Sequence, residues 1–482
     1  MLISVDPTLL RRAMRPRSKA AIEYACRELA RRAGLDVSTD LPGVEIHYGN
    51  PKALAAPGVR TVFVRPCSDD AFAWARTAAP AALTWLAPHE CTPSGASFQP
   101  RDSVPALFWG EGVDSKRPFG ERDALGRVII NVDIVAATIF MLTRWEEIGS
   151  SIRDQHDRFP ASASFAHRQA FLDRPVVDEY AMLLREWIKS VVPAWRPSAQ
   201  RFETWLTHDI DHVRRFRSIA HGLLGAIGGA QRRAGTSGRS QPIRDAWAEA
   251  FSPRSGPYLR GIATLLEIGR RYAVDRSAFY LMAAPGRGPQ ERYGPDYAIE
   301  STVARDLAAD LRMAGVEIGI HPGYGTLDRY DRLLEEKVRF DRVIGGSNYG
   351  GRQHYLRFRT PQTWRFWDEA GFAYDSTVGF ADHEGFRCGT CHPFHPFDVE
   401  QDRELRLLEI PLIVMDTTLR VYRNLSPEQG LDVARRLRER CRDVGGRFTI
   451  LWHNTSLSYE WAAWAHVLDD LLSGTAHRPG SR

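Results

Sequence analysis

Cysteine is scarce in this chain, with six residues in 482. That is too few for a disulfide scaffold of this size, so a hydrophobic core must hold the fold. Long apolar runs are missing as well. Stretches such as Ile410 to Met415 fall far short of the ~20 residues a membrane span requires, and no span is expected. Excess charge is small: Lys+Arg 64 against Asp+Glu 59 leaves +5. A nucleic-acid-binding protein needs a concentrated basic face, so no nucleic-acid partner is expected. Residues Met1 to Arg17 reach Arg11, Arg12 and Arg15 without a preceding apolar stretch, so no signal peptide is read. No repeat of solenoid type is visible. What remains is ordinary globular composition, 43% hydrophobic and 26% charged. A soluble, cytoplasmic protein is expected; nothing in the pattern sets its oligomeric state.

Residues 1–198 read as a mixed α/β unit. Ile22, Cys26, Leu29 and Ala33 give helical spacing over residues 18–33. Short strands are expected at Val44–Tyr48, Thr61–Arg65 and Arg127–Val132, and amphipathic helices at Ile134–Glu147 and Val177–Val191. Pro193 and Pro197 mark a boundary. From residue 199 to 482 the rhythm is regular. Strands are expected at Thr204–Asp211, Ser277–Ala283, Val316–His321, Arg352–Phe358, Phe372–Thr377, Leu407–Asp416 and Arg447–His453. Helical patterns separate most of them, at Val213–Ile227, Tyr258–Tyr272, Glu300–Ala314, Leu327–Val343, Pro361–Ala370, Pro427–Asp443 and Tyr459–Leu472. Strands alternating with helices indicate a parallel sheet, flat or closed into a barrel. Residues 229–257, rich in Gly, Ser and Arg, read as a flexible insertion.

A buried parallel strand should be nearly all apolar, so ionisable residues at its C-terminal end need a reason. The first of these strands ends Thr207-His208-Asp209-Ile210-Asp211-His212. Strand alternation puts Thr207, Asp209 and Asp211 on one face and His208 on the other. Two ionised carboxylates side by side repel, and a metal ion or a shared proton relieves that. The plain alternative is a pair of exposed carboxylates in a turn. Two further strands end in the same manner, one in His321-Pro322 and one in Trp452-His453-Asn454. Asp, Asp, His and His thus fall at one end of three strands, where α/β folds build their sites. Such a set suits a hydrolytic metal centre, with one carboxylate taking a proton from water and a histidine protonating the leaving group.

Residues 202–475 resemble the polysaccharide deacetylase superfamily, metal-dependent enzymes that remove acetyl groups from sugars. The resemblance implies a distorted (β/α)7 barrel. Thr207-His208-Asp209-Ile210-Asp211 is similar to the first family motif, making Asp209 the base and Asp211 a metal ligand. His321-Pro322-Gly323-Tyr324-Gly325 is similar to the second, His-x-x-x-His, but Gly325 stands where the second ligand is expected. Arg359-Thr360-Pro361 resembles the motif whose Arg orients the base, with Arg357 as the competing choice. Leu451-Trp452-His453 resembles the last motif and makes His453 the general acid. Tyr374-Asp375-Ser376-Thr377 is similar to the strand-five segment of some members. Arg144-Trp145-Glu146-Glu147 and Arg158-Phe159-Pro160 resemble an accessory region that precedes such a domain in one branch.

With Asp211 and His321 alone, a metal has two protein ligands where catalytic zinc usually has three. His354 is the replacement taken here, although strand alternation sets it opposite Arg357 and Arg359 unless a bulge intervenes. His383, His392, His395, His208 and His212 are alternatives. Cys388-Gly389-Thr390-Cys391-His392 matches the c-type haem pattern, but two loop thiols are the preferred reading, ahead of structural zinc or a redox pair. Asp382 to Phe397 is a candidate lid or substrate wall. Asn424-Leu425-Ser426 and Asn454-Thr455-Ser456 match the glycosylation sequon, which means little without an export signal. The expectation is a divalent-metal hydrolase, zinc favoured, acting on an acylated amino sugar or glycan. The rival is a non-catalytic carbohydrate-binding protein of polysaccharide assembly, favoured by Gly325.

Overall fold

The computed structural model describes residues 2–5, 17–35, 44–49, 60–216, 241–285, 293–346 and 348–473. It is a mixed α/β structure containing two parallel-rich sheets. In the first, the order is Leu2–Val5, Val44–Tyr48, Arg60–Val64, Val128–Ile130 and Gly120–Arg122, the last pairing antiparallel as an edge. Helix Lys19–Arg32 starts where Ser18 accepts a hydrogen bond from the Ala21 amide, supplying one of the bonds that a helix start lacks. It buries Ile22, Cys26 and Leu29, the stripe read from the sequence. The helix expected over Ile134–Glu147 is shorter. Ile134–Leu142 is buried along its whole length. At Arg144 the backbone turns left-handed, with φ 52°, and a short 3-10 turn covers Trp145–Glu147.

In the second sheet Glu203–Ile210 is central. Arg276–Met282 and then Glu317–His321 lie on one side, Arg447–Leu451 and then Val414–Met415 on the other, all parallel. Single bridges carry the pairing from Ile320 to Gly351 and on to Asp375, and Tyr374–Asp375 pairs with Leu408–Glu409. The strand expected over Arg352–Phe358 is not there. Gly351 makes a bridge, and His354–Leu356 is a 3-10 turn with left-handed Tyr355 and Leu356. The reason is a tight approach on both sides: a Cβ on Gly351 would lie 1.8 Å from the Ile320 carbonyl oxygen, and one on Gly350 would lie 2.3 Å from that of Tyr374. The chain squeezes between its neighbours and then leaves the sheet.

Of the helix expected over Val213–Ile227 and the insertion over 229–257, residues 217–240 lie outside the described residues. Within the rest of the insertion, Gln241–Phe251 is a docked helix rather than a flexible segment. Glu249 accepts from the Arg215 and Phe216 amides, and Asp245 takes Arg260 at 2.8 Å.

One hydrophobic cluster runs through both sheets and their helices. Buried charges cross between the two parts as well. Glu147 accepts from Arg144 at 2.8 Å and from Arg387 at 2.9 and 2.5 Å. Asp178 takes Arg32 at 2.9 Å together with the Thr390 hydroxyl and the Cys391 amide. Among the described residues no helix is long and apolar enough to cross a membrane.

Candidate metal centre and active site

The register fixes where the polar residues fall. Asp209 lies beside Tyr280, His321 beside Met282, and Leu451 beside Thr207, so these strands finish together at one edge. Asp209, Asp211, His321, His354 and His453 all line one cavity of about 340 Å³ at that edge.

Asp211, His321 and His354 bring their donor atoms together. His321 Nδ1 lies 2.6 Å from the Arg352 carbonyl and His354 Nε2 lies 3.0 Å from the Tyr293 carbonyl. A carbonyl only accepts, so each of these nitrogens carries the proton. The other two, His321 Nε2 and His354 Nδ1, then present lone pairs to each other across 3.0 Å. Asp211 Oδ1 is buried without a hydrogen bond, 3.3 and 3.4 Å from these nitrogens. Lone pairs facing an orphaned carboxylate oxygen are relieved by a shared proton or by a metal ion between them. Carbonyls that fix the tautomer are the usual outer support of metal-binding histidines. Burial disfavours charge on His321, yet Asp209 and Asp211 raise its pKa. Burial likewise works against the Asp211 carboxylate, which His354 and His321 hold well below its usual range. The donor set therefore fits a divalent ion.

Asp209 is buried beside this triad. Its Oδ1 accepts from Arg352 Nη1 at 2.9 Å, and its Oδ2 lies 3.7 Å from His321 Nε2. Arg352 is fully buried and is held in turn by Ser376, through Nε to the carbonyl at 2.8 Å and Nη2 to the hydroxyl at 3.0 Å. On the other side, His453 Nδ1 donates to Asp416 Oδ1 at 2.7 Å, and its backbone amide to Oδ2 at 2.8 Å. Its Nε2 points inward, 3.8 Å from Asp211 Oδ2. Burial alone would lower the His453 pKa; the Asp416 and Asp211 carboxylates outweigh it and carry the group up to about 9.

Arg359 does not reach Asp209. Its guanidinium pairs with Asp157 at 2.6 Å, while Arg357 bonds the His156 carbonyl at 2.9 Å. The arginine on Asp209 is Arg352, which the strand pattern passed over. The signal was Gly350-Gly351: two glycines that admit close backbone neighbours place the next residue at a sheet edge. Asp416 was missed too, although the rule applied to the other strand ends picks it out at the end of Leu407–Asp416.

The remaining histidines are placed elsewhere or differently. His208 lies on the opposite face of its strand, donates to the Trp452 carbonyl at 2.7 Å, and is held by burial at a pKa of about 4. His212 is at the cavity rim, 3.9 Å from Asp296. His383 Nδ1 bonds the Glu384 carbonyl and His395 Nδ1 the Leu407 carbonyl. His392 joins Cys391 and Asp178 in a second buried donor group. There Arg32 already neutralises Asp178 and His392 bonds the Val444 carbonyl, so an ion pair fills the role a cation would take. Cys388 and Cys391 are both buried, and burial pushes both thiols up, as expected of inert core thiols.

Fold and site together define a mixed α/β protein with a carboxylate–imidazole centre at its strand ends. Residues 81–193 match a family of unknown function, DUF7033. No curated protein matches the chain. Among solved structures, the chain is similar to a "putative polysaccharide deacetylase" from Mycobacterium smegmatis. Identity is 18% and the TM-score 0.38, over 59% of this chain and 87% of that one. It is also similar to the Xyl-CE4 domain of a multidomain xylanase from the hindgut metagenome of Trinervitermes trinervoides. There the identity is 9% and the TM-score 0.27, over 57% of this chain and 83% of that one. Neither similarity bears on the chemistry, which belongs to the side chains.

Proposed function

We propose that the chain is a metal-dependent hydrolase that removes an acyl group, acetyl in the simplest case, from an amino sugar or glycan. The observation that carries the reading is the convergence of Asp211, His321 and His354 in one cavity with a carboxylate held by an arginine and an imidazole held by a carboxylate. Two imidazoles and one carboxylate are a donor set of zinc type. When bound, a divalent ion supplies Lewis acidity, acidifying water and polarising a carbonyl.

The chain's own residues supply the rest. Arg352 occupies Asp209 Oδ1 and leaves Oδ2 free to take a proton from the attacking water. His453, its pKa raised chiefly by Asp416, which also orients it, gives its Nε2 proton to the departing amine. Base and acid line the same cavity as Asp211, where the reacting carbonyl would enter. Arg352 thus replaces Arg359 as the positioning arginine. The non-catalytic rival drew its support from Gly325, and His354 supplies the donor that Gly325 lacks.

The pairing from Glu317–His321 through Gly351 to Asp375, and of the 408–415 segment with strands on both sides, supports the (β/α)7 barrel reading. A division near Pro197 and a cytoplasmic setting belong to the same proposal. Asp209→Asn is expected to abolish deacetylation of an acetylated amino-sugar oligomer while zinc content stays near one per chain. Undiminished turnover by that variant would refute the assignment.

A further inference from the structure

The third donor of the proposed triad stands on a turn that needs outside support. Tyr355 and Leu356 follow His354 with φ of 62° and 52°, a left-handed pair without glycine. Such backbone persists where its surroundings over-determine it. The Tyr293 and Tyr324 rings pack on Tyr355 at 5.1 and 5.5 Å, and two further bonds reach the turn from residues 197 and 201 positions earlier. Arg158 Nη1 donates to the Tyr355 carbonyl at 2.9 Å. From the other side of the turn, Arg357 Nε donates to the His156 carbonyl at 2.9 Å. The His156 ring lies 4.7 Å from the Tyr355 ring.

The supporting loop is itself closed. Asp154 Oδ1 accepts from the His156 and Arg158 amides at 2.8 and 2.9 Å, and its Oδ2 from Arg158 Nε at 2.7 Å. Arg158 Nη2 adds a bond to the Tyr422 hydroxyl at 3.1 Å. Although Arg158 lines the cavity, each of its guanidinium nitrogens is engaged by protein. That is the bonding of a brace, not of a substrate-binding side chain.

We propose that the 154–158 loop is a positioning clamp for His354, with Arg158 as its working residue, so that the N-terminal part of the chain completes the metal centre. The proposal rests on the metal-triad reading. It accounts for Arg357 and Arg359, which tie the turn to the clamp instead of touching Asp209.

The test uses the full chain and zinc alone, with affinity read by competition against a chromophoric chelator and coordination read from the visible spectrum of the cobalt form. Arg158→Ala is expected to weaken zinc binding roughly 10- to 100-fold, the usual loss when an outer-shell support is removed, and to change the cobalt spectrum. In a His354→Ala background the same substitution should add nothing, because its effect passes through His354. Arg101→Ala, which breaks the exposed pair with Asp443 between the same two parts of the chain, should bind zinc as the parent does. If Arg158→Ala does not fold, Arg158→Lys serves instead, since an ammonium cannot reach Tyr355, Tyr422 and Asp154 together. Parent-like affinity in the folded Arg158 variant overturns the clamp, as does an equal loss in the His354→Ala background or in Arg101→Ala. A parent protein that binds no zinc overturns the triad reading itself, a different result from any of these.

Discussion

Replacing Arg352 and Arg359 in turn separates the arginine that the sequence pattern suggests from the one that the geometry favours. Arg352 is fully buried, and its three donors meet Asp209 and Ser376 within 3.0 Å. In Arg352→Gln the Asp209 carboxylate loses its cation while staying buried. Breaking a buried pair from one side costs about 3–5 kcal/mol, so the urea midpoint should fall clearly. Arg359 and Asp157 are each more than a third exposed, at 36% and 38%. An exposed pair of that kind contributes about 0–1 kcal/mol, and Arg359→Gln should unfold almost as the parent does. Turnover should divide in the same direction. A hydrogen bond to a charged group contributes about 1.5–3 kcal/mol, which at 1.36 kcal/mol per decade means a roughly 10- to 150-fold loss of kcat/KM in Arg352→Gln. Arg352→Lys should recover little, because an ammonium cannot fork between Asp209 and the two Ser376 oxygens. The assay is deacetylation of an acetylated amino-sugar oligomer beside urea unfolding of the same preparations. Loss of activity in Arg359→Gln with a fully active Arg352→Gln would refute the reasoning.

Two further outcomes can be checked directly. In the metal-free protein, nitrogen-detected titration of His453 should give a pKa near 9, falling in Asp416→Asn as burial is opposed by Asp211 and Asp209 alone. Because the folded value is raised, His453 contributes stability that is complete below about 6.5 and is lost as pH rises through about 9; a flat unfolding profile across that window contradicts this. Glu147→Gln leaves Arg387 buried without its carboxylate, while Arg144 keeps Glu146 at 2.7 Å, and urea unfolding should register a loss of about 3–5 kcal/mol. A loss below 1 kcal/mol would mean that this charge cluster adds nothing net.

Much of the site lay in the sequence because one rule governed it: a charged residue at the end of an apolar strand has a purpose. That rule found Asp209, Asp211, His321 and His453, and the four sit around one cavity. It correctly set His208 on the other face, where burial keeps it neutral. The rule failed where strand alternation failed. Residues 352–356 leave the sheet after Gly351, so counting faces forward from an assumed strand set His354 against Arg357 and Arg359 and hid Arg352. Left-handed backbone at Tyr355 and Leu356 leaves no mark in a period-two pattern. The clamp from 154–158 was illegible for another reason. Its contacts join residues some 200 positions apart through backbone carbonyls, which carry no side-chain signature.

The buried bonds between Glu147 and Arg387 also bear on how the chain is made. The two residues stand 240 positions apart. At ~5–20 residues per second of synthesis, the second guanidinium follows the carboxylate by roughly 12–50 s. For that interval the nascent N-terminal half holds Glu147 against Arg144 alone, with the apolar surface that the second sheet will cover still open to water. Its final contacts are therefore completed late, when the half that carries the second sheet docks, and a ribosome stalled before Arg387 should carry a protease-sensitive chain.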